Sequence, residues 1–170
     1  MEDFRLTIPE GSWEAGQKIY ERLTLLVESM PEDKLTIIHD DLTANNVFFD
    51  GNTTQDALIV FDWSNVGVGR SLTDLSYLLG FSLATELRRR AEKDIVKLYY
   101  ERLIANGISD YSFNECWTDY LAGLVLKTYT RLGIFSRTDL DEQTHAALLN
   151  VMLPRWFSAI LDNNATSILP

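Results

Sequence analysis

The sequence has 170 residues, 46% hydrophobic and 24% charged, and its 25 acidic against 15 basic residues leave a net charge of −10. These proportions describe a single globular domain over residues 1–170 and exclude a disordered, collagen-like or low-complexity chain. The negative balance argues against nucleic acid as a partner, and Cys116, the only cysteine, leaves no internal disulfide and no zinc-finger site. The opening MEDFRLTIPEGSW lacks the basic region and apolar run of a signal peptide. No stretch approaches the ~20 apolar residues of a membrane span, so a cytoplasmic protein without a membrane partner is expected.

Ser12 to Met30 reads as the first helix, with Ser12 as its cap, Ile19, Leu23, Leu26 and Met30 on one face, and Pro31 closing it. The period then changes. Leu35-Thr36-Ile37-Ile38, Val47-Phe48-Phe49 and Leu58-Ile59-Val60-Phe61 are short, apolar and rich in strand formers. Asp50-Gly51-Asn52 predicts a turn that joins the last two as a hairpin. Between the first two lies His39-Asp40-Asp41-Leu42-Thr43-Ala44-Asn45-Asn46, too polar for a core strand and without helical period. A polar loop held between short strands is a common seat of chemistry.

From Ser71 the chain reads as helix. Ser71 and Asp74 have the spacing of a capping box, and so do Ser112 and Glu115. A long helix is predicted from about Ala84 to Ala105, with Ile95, Leu98, Tyr99 and Leu103 on its apolar side and Asn106-Gly107 at its end. Another runs from Ser112 towards Gly133. The last, from Asp141 to Leu161, contains Pro154, which should kink it. Arg88-Arg89-Arg90 reads as a solvated helix face, Trp117 and Tyr120 as packing residues, and Cys116 as a small buried hydrophobe.

The chemistry sits in His39-x-Asp41-x4-Asn46 and in Asp62 at the end of the strand Val60-Phe61-Asp62-Trp63. Asp41 offers a carboxylate to a hydroxyl proton. Asn46 and Asp62 offer hard oxygen donors of the kind Mg²⁺ takes alongside phosphate oxygens and water. A base with two such ligands matches the kinase side of phosphoryl transfer.

The loop resembles the H-G-D-x4-N catalytic loop of the aminoglycoside/choline kinase-like phosphotransferases, and Ile59–Trp63 resembles their metal-binding D-[FW] element. Val66–Leu79, with Gly67, Gly69 and Thr73-Asp74-Leu75, is similar to the segment that follows in the ecdysteroid-kinase-like branch, as is Asp110–Leu121 to its bacterial members. The resemblance runs from about residue 35 to the end. It implies an α-rich α+β fold: the helical C-terminal lobe of a protein-kinase-like enzyme, with a small β-hairpin and catalytic loop. It also implies transfer of a phosphoryl group from ATP, with Mg²⁺, to a hydroxyl of a small-molecule acceptor. Asp41 matches the catalytic aspartate, Asn46 and Asp62 the Mg²⁺ ligands, His39 an architectural loop histidine, and Asp74 an aspartate that braces the loop backbone.

Asp40 stands where the family pattern has Gly, which sets two carboxylates side by side, and Ser64 stands where many relatives carry an acidic residue or Gln. Only 38 residues precede His39, without a Gly-rich loop or a V-A-x-K-like strand, so an N-terminal lobe is expected to be absent. The isolated chain is then expected to be inactive or slow. The alternatives are a non-catalytic small-molecule or metal-binding module, a degenerate fragment, a two-part kinase completed by a separate N-lobe chain or a dimer, and a metal-dependent phosphohydrolase.

Overall fold

The computed structural model describes residues 8–50, 57–135 and 139–170. The first helix, α1 (Ser12–Ser29), follows its predicted period and buries Ala15, Ile19 and Leu26. Its start differs from expectation. Gly11 is the cap, at φ 85°, where a side chain would be strained, and Ser12 instead donates its hydroxyl to Pro9 O at 2.6 Å.

Among the described residues, four short strands form two separate antiparallel ribbons rather than the single hairpin expected. One pairs β1 (Thr36–Ile38) with β4 (Gly67–Gly69); the other pairs β2 (Val47–Asp50) with β3 (Ala57–Val60). The second ribbon is the predicted hairpin, although Gly51 and Asn52 of its turn lie outside the described residues. Gly67-Val68-Gly69 carries no strand signal of its own, because glycine disfavours strands. It becomes one by adding to the edge of β1. The polar loop between β1 and β2 ends in a single 3₁₀ turn, Ala44–Asn46.

Helix α2 (Leu72–Tyr77) runs into a π turn, Leu78–Ser82. Ser71 does not cap it: no side chain does, and the Ser71 hydroxyl accepts from Tyr99 OH instead. The long helix α3 (Thr85–Ala105) ends at Asn106-Gly107 as predicted, with Gly107 at φ 94°. Ile95, Tyr99 and Leu103 pack against the core as expected, but Leu98 is 53% exposed, and the buried residues of the helix are Val96 together with Arg88 and Glu92.

The reading of Arg88 as solvated is therefore corrected. Its guanidinium is fully buried, bonded to Glu92 at 2.7 Å and to Asp162. Tyr120 OH and Asn163 Nδ2 also donate to Glu92. Arg89 stays at the surface but pairs with Asp162 and Glu86.

Helix α4 (Phe113–Phe135) opens on the predicted capping box. Ser112 Oγ accepts from Glu115 N at 3.2 Å, and Glu115 Oε2 accepts from Ser112 N at 2.7 Å. Cys116, Tyr120, Leu124 and Val125 are buried along it. Gly123 brings α2 against α4, since a Cβ there would lie 3.0 Å from Leu72 O.

After α5 (Glu142–Ala147), a π turn at Leu148–Met152 leads directly into α6 (Leu153–Asp162). Pro154 falls in the first turn of α6, where its missing N–H costs nothing, so the expected kink becomes a π turn. A 3₁₀ turn, Ala165–Ile168, closes the chain against α1 and α4. The molecule is helix-rich with small antiparallel ribbons. No helix among the described residues is long and apolar enough to cross a membrane.

Candidate functional site

The polar loop leaves β1 at His39 and is fastened from three sides. Helix α2 supplies Asp74, whose Oδ2 accepts from His39 N at 2.6 Å and whose Oδ1 accepts from Asp40 N at 2.9 Å. One carboxylate thus satisfies two consecutive backbone donors, with charge-assisted bonds stronger than neutral ones. The π turn supplies Ser82, whose Oγ accepts from Ala44 N at 2.9 Å.

His39 ties the loop to the strand end beyond β3. Its Nε2 lies 2.8 Å from Phe61 O, and its Nδ1 accepts from Asp41 N at 3.2 Å. A carbonyl only accepts, so the ring carries its proton on Nε2 and presents a bare Nδ1 to the Asp41 amide. The ring is buried and packs against Trp63, with centroids 4.8 Å apart. His39 is thus a brace for the Asp41 backbone.

Asn46 and Asp62 flank the same end of the β2–β3 ribbon. The register pairs Val47 with Val60, and one step further out Phe61 N donates to Asn46 O at 3.1 Å. Asn46 Nδ2 donates to Asp41 O at 2.8 Å and lies 3.4 Å from Asp41 Oδ2. Its carbonyl Oδ1 is thereby turned away from Asp41. Asp62 has left-handed backbone (φ 59°, ψ 62°) and an exposed side chain; Ser64 donates to its Oδ1 at 2.7 Å. Asp is among the residues that take this conformation most readily, and the side chain is open to solvent. The structure therefore brings Asp41, Asn46 and Asp62 to one edge, with His39 and Asp74 behind them.

Two cations that the sequence reading left out complete the site. Lys127 and Arg131, one turn apart on α4, both reach the loop. Lys127 Nζ donates to Asp40 Oδ1 at 2.6 Å and to Asp40 O. Arg131 Nη2 donates to Asp40 O at 2.5 Å and pairs with Asp41 Oδ1 at 2.9 Å. Both sit over the Tyr77 ring, at 5.1 and 4.8 Å from its centroid. Asp40 takes φ 63°, within reach of an Asp, so the loop keeps the shape a glycine would give it. The two adjacent carboxylates are each paired with one of these cations, Asp40 with Lys127 and Asp41 with Arg131. Burial pulls the Lys127 ammonium below its ordinary pKa against the opposing pull of Asp40. Burial likewise pushes the Tyr77 hydroxyl up to about 12, against the nearby Arg131. A signal for the pair existed: Lys127 and Arg131 are spaced i, i+4 in the run Leu121–Leu132, which carries no other charge.

A profile of the ecdysteroid kinase-like family matches residues 6–108. The chain belongs to the ecdysteroid kinase-like family. No curated protein and no solved structure matches it. The family match spans α1 to the end of α3 and includes His39, Asp41, Asn46, Asp62 and Asp74. It starts well before residue 35, so it takes in α1 as well as the motifs. It also stops before Asp110–Leu121 and before Lys127 and Arg131. A kinase-like family carries a general expectation of ATP and Mg²⁺. The donor set fits that ion. Asn46 Oδ1 and the Asp62 carboxylate are hard oxygens, and Mg²⁺ needs only one or two protein ligands beside phosphate and water. Among the described residues no group of three His, Cys, Asp or Glu side chains forms a cage of its own.

Proposed function

We propose that this member of the ecdysteroid kinase-like family is the helical C-terminal lobe of a phosphotransferase that moves the γ-phosphoryl group of ATP to a hydroxyl of a small molecule. The observation that carries this reading is the clamp of Asp74 on the His39 and Asp40 amides, which holds Asp41 against Asn46 at the ribbon end that bears Asp62. In this reading Asp41 accepts the proton of the acceptor hydroxyl as its oxygen bonds to the γ-phosphorus and the bond from that phosphorus to the β–γ bridging oxygen breaks. Asn46 Oδ1 and Asp62 hold Mg²⁺, which when bound offsets charge on the nucleotide phosphates. His39 and Asp74 keep the Asp41 backbone in place, and positioning of this kind accounts for most of the catalysis in phosphoryl transfer.

The two ribbons favour a second component. Phe48, Phe49, Leu58, Ile59, Ile37 and Val68 are all at least half exposed. An apolar surface beside the loop suits a covering lobe or a second copy that completes the nucleotide site.

Titration of the chain with ATP, with and without Mg²⁺, tests the reading. Binding that needs Mg²⁺ and is lost in Asp62→Asn and Asn46→Ala is the expected result. Turnover by the chain alone is expected far below the about 1–100 per second of ordinary kinases. Binding of a small alcohol with no Mg²⁺-dependent nucleotide affinity would overturn the kinase reading in favour of a binding module.

A further inference from the structure

Helix α4 lies beyond the stretch that carries the family match, yet it delivers two cations to the loop. We propose that Lys127 and Arg131 are positioning residues for Asp41, and that Asp40 is the side chain through which Lys127 grips the loop. This rests on the reading of Asp41 as the proton acceptor.

Arg131 Nη2 contacts two consecutive residues, donating to the Asp40 carbonyl at 2.5 Å and forming an ion pair with the Asp41 carboxylate at 2.9 Å. It thereby fixes the Asp41 side chain relative to the backbone that precedes it. Arg131 Nε is buried without a partner among the described residues, a donor given up to hold the guanidinium at this spot. Lys127 is 2% exposed and bonds both the carbonyl and the carboxylate of Asp40. The Tyr77 ring floors both cations from α2. Asp41 is then oriented from two sides: Oδ1 faces Arg131, and Oδ2 lies 3.4 Å from Asn46 Nδ2. A glycine at position 40 would tolerate φ 63° better, but it would leave the Lys127 ammonium with the carbonyl alone.

The test is made on the ¹⁵N-labelled full chain, in wild type, Arg131→Met, Arg131→Lys, Lys127→Met and the surface control Lys97→Met. The readouts are the Asp41 backbone amide, the Asn46 side-chain NH₂ resonances, and amide exchange across His39–Asn46. Arg131→Met is expected to shift the Asp41 and Asn46 signals and to speed Asp41 exchange about tenfold or more. Lys127→Met is expected to do the same at Asp40 and Asp41. Arg131→Lys, which keeps the charge but not the planar guanidinium, should restore the signals part of the way, and Lys97→Met should change nothing. Where phosphotransfer is measurable, Arg131→Met should lower kcat and leave KM for ATP as in wild type.

Wild-type Asp41 and Asn46 signals in Arg131→Met would overturn the proposal whatever the turnover. If Arg131→Met fails to fold, Arg131→Lys and Asp40→Asn carry the test, and spectra identical to wild type across the loop would overturn it. Shifted signals in a chain that shows no Mg²⁺-dependent ATP binding would remove the kinase reading and leave the clamp on Asp41 standing.

Discussion

Asp74 is the residue on which the loop depends most directly. Its two oxygens each take one backbone N–H, from His39 and Asp40. In Asp74→Asn one of those amides would face an NH₂ group, leaving a donor unpaired in a part-buried site. The expected cost is about 1.5–3 kcal/mol, and a chain of this size loses roughly 2–4 °C of Tm per kcal/mol. Thermal melting, together with faster hydrogen exchange at Asp40 and Asp41, checks this. An unchanged melt and unchanged protection would reduce Asp74 to an ordinary helix residue. Glu115 makes a different kind of local bond. The Ser112 hydroxyl, the Ser112 amide and Lys34 hold its carboxyl down to about 2, against an ordinary value of 4.5. A carboxyl lowered in the folded state stabilises above its unfolded pKa, and that contribution is lost as pH falls towards the folded value. Melting curves should therefore show α4 stability declining between about pH 4.5 and 2, and the decline should be shallower in Glu115→Gln.

At the scale of elements, helix α3 is held by charge as much as by apolar contact. Arg88 bridges Glu92 on its own helix and Asp162 at the end of α6, and Ser158 and Asn163 join the cluster. Removing one partner of a buried pair strands the others, which typically costs about 3–5 kcal/mol. Arg88→Met is expected to lose stability on that scale in denaturant titration, whereas Arg90→Met, on the exposed side of the helix, should stay within about 0.5 kcal/mol of wild type. Near-equal midpoints for the two variants would show that the cluster contributes nothing specific. The contact of α2 with α4 rests on Gly123, and through α2 it also places Asp74 under the loop. The site is thus carried by helix packing, with the ribbons at its rim.

At the scale of the whole molecule, the uneven feature is the ribbon surface. In the β2–β3 ribbon Phe48 faces Ile59 and Phe49 faces Leu58, and since side chains alternate, the two pairs lie on opposite faces, both exposed. A two-stranded ribbon is marginal alone, and apolar surface on both faces invites a partner. The chain is expected to self-associate at high concentration in sedimentation experiments, and Phe49→Ser with Leu58→Ser should reduce that association without lowering Tm. A strictly monomeric wild type would remove the second copy as an occupant of this surface.

The pair of Ser-x-x-acid patterns separates what was legible in the sequence from what was not. Ser112 and Glu115 form the capping box that their spacing predicts, because every bond in it lies within three residues. Ser71 and Asp74 have the same spacing, yet Asp74 is drawn to amides 34 and 35 residues away and Ser71 to Tyr99. A local pattern states which bonds are possible, and long-range donors decide which are made. Arg88 follows the same rule: a run of three arginines reads as solvated until α6 closes over one of them. The helices, the hairpin and the polar loop that carries Asp41 and Asn46 were legible from periodicity and turn chemistry, since those signals are short-range. Lys127 and Arg131 were not. Their role exists only because α4 crosses behind the loop, some 87 to 91 residues along the chain from Asp40. The sequence by itself determined which groups could do chemistry. Tertiary packing alone decided which cations stand beside them, because that depends on which helix the core brings to the loop.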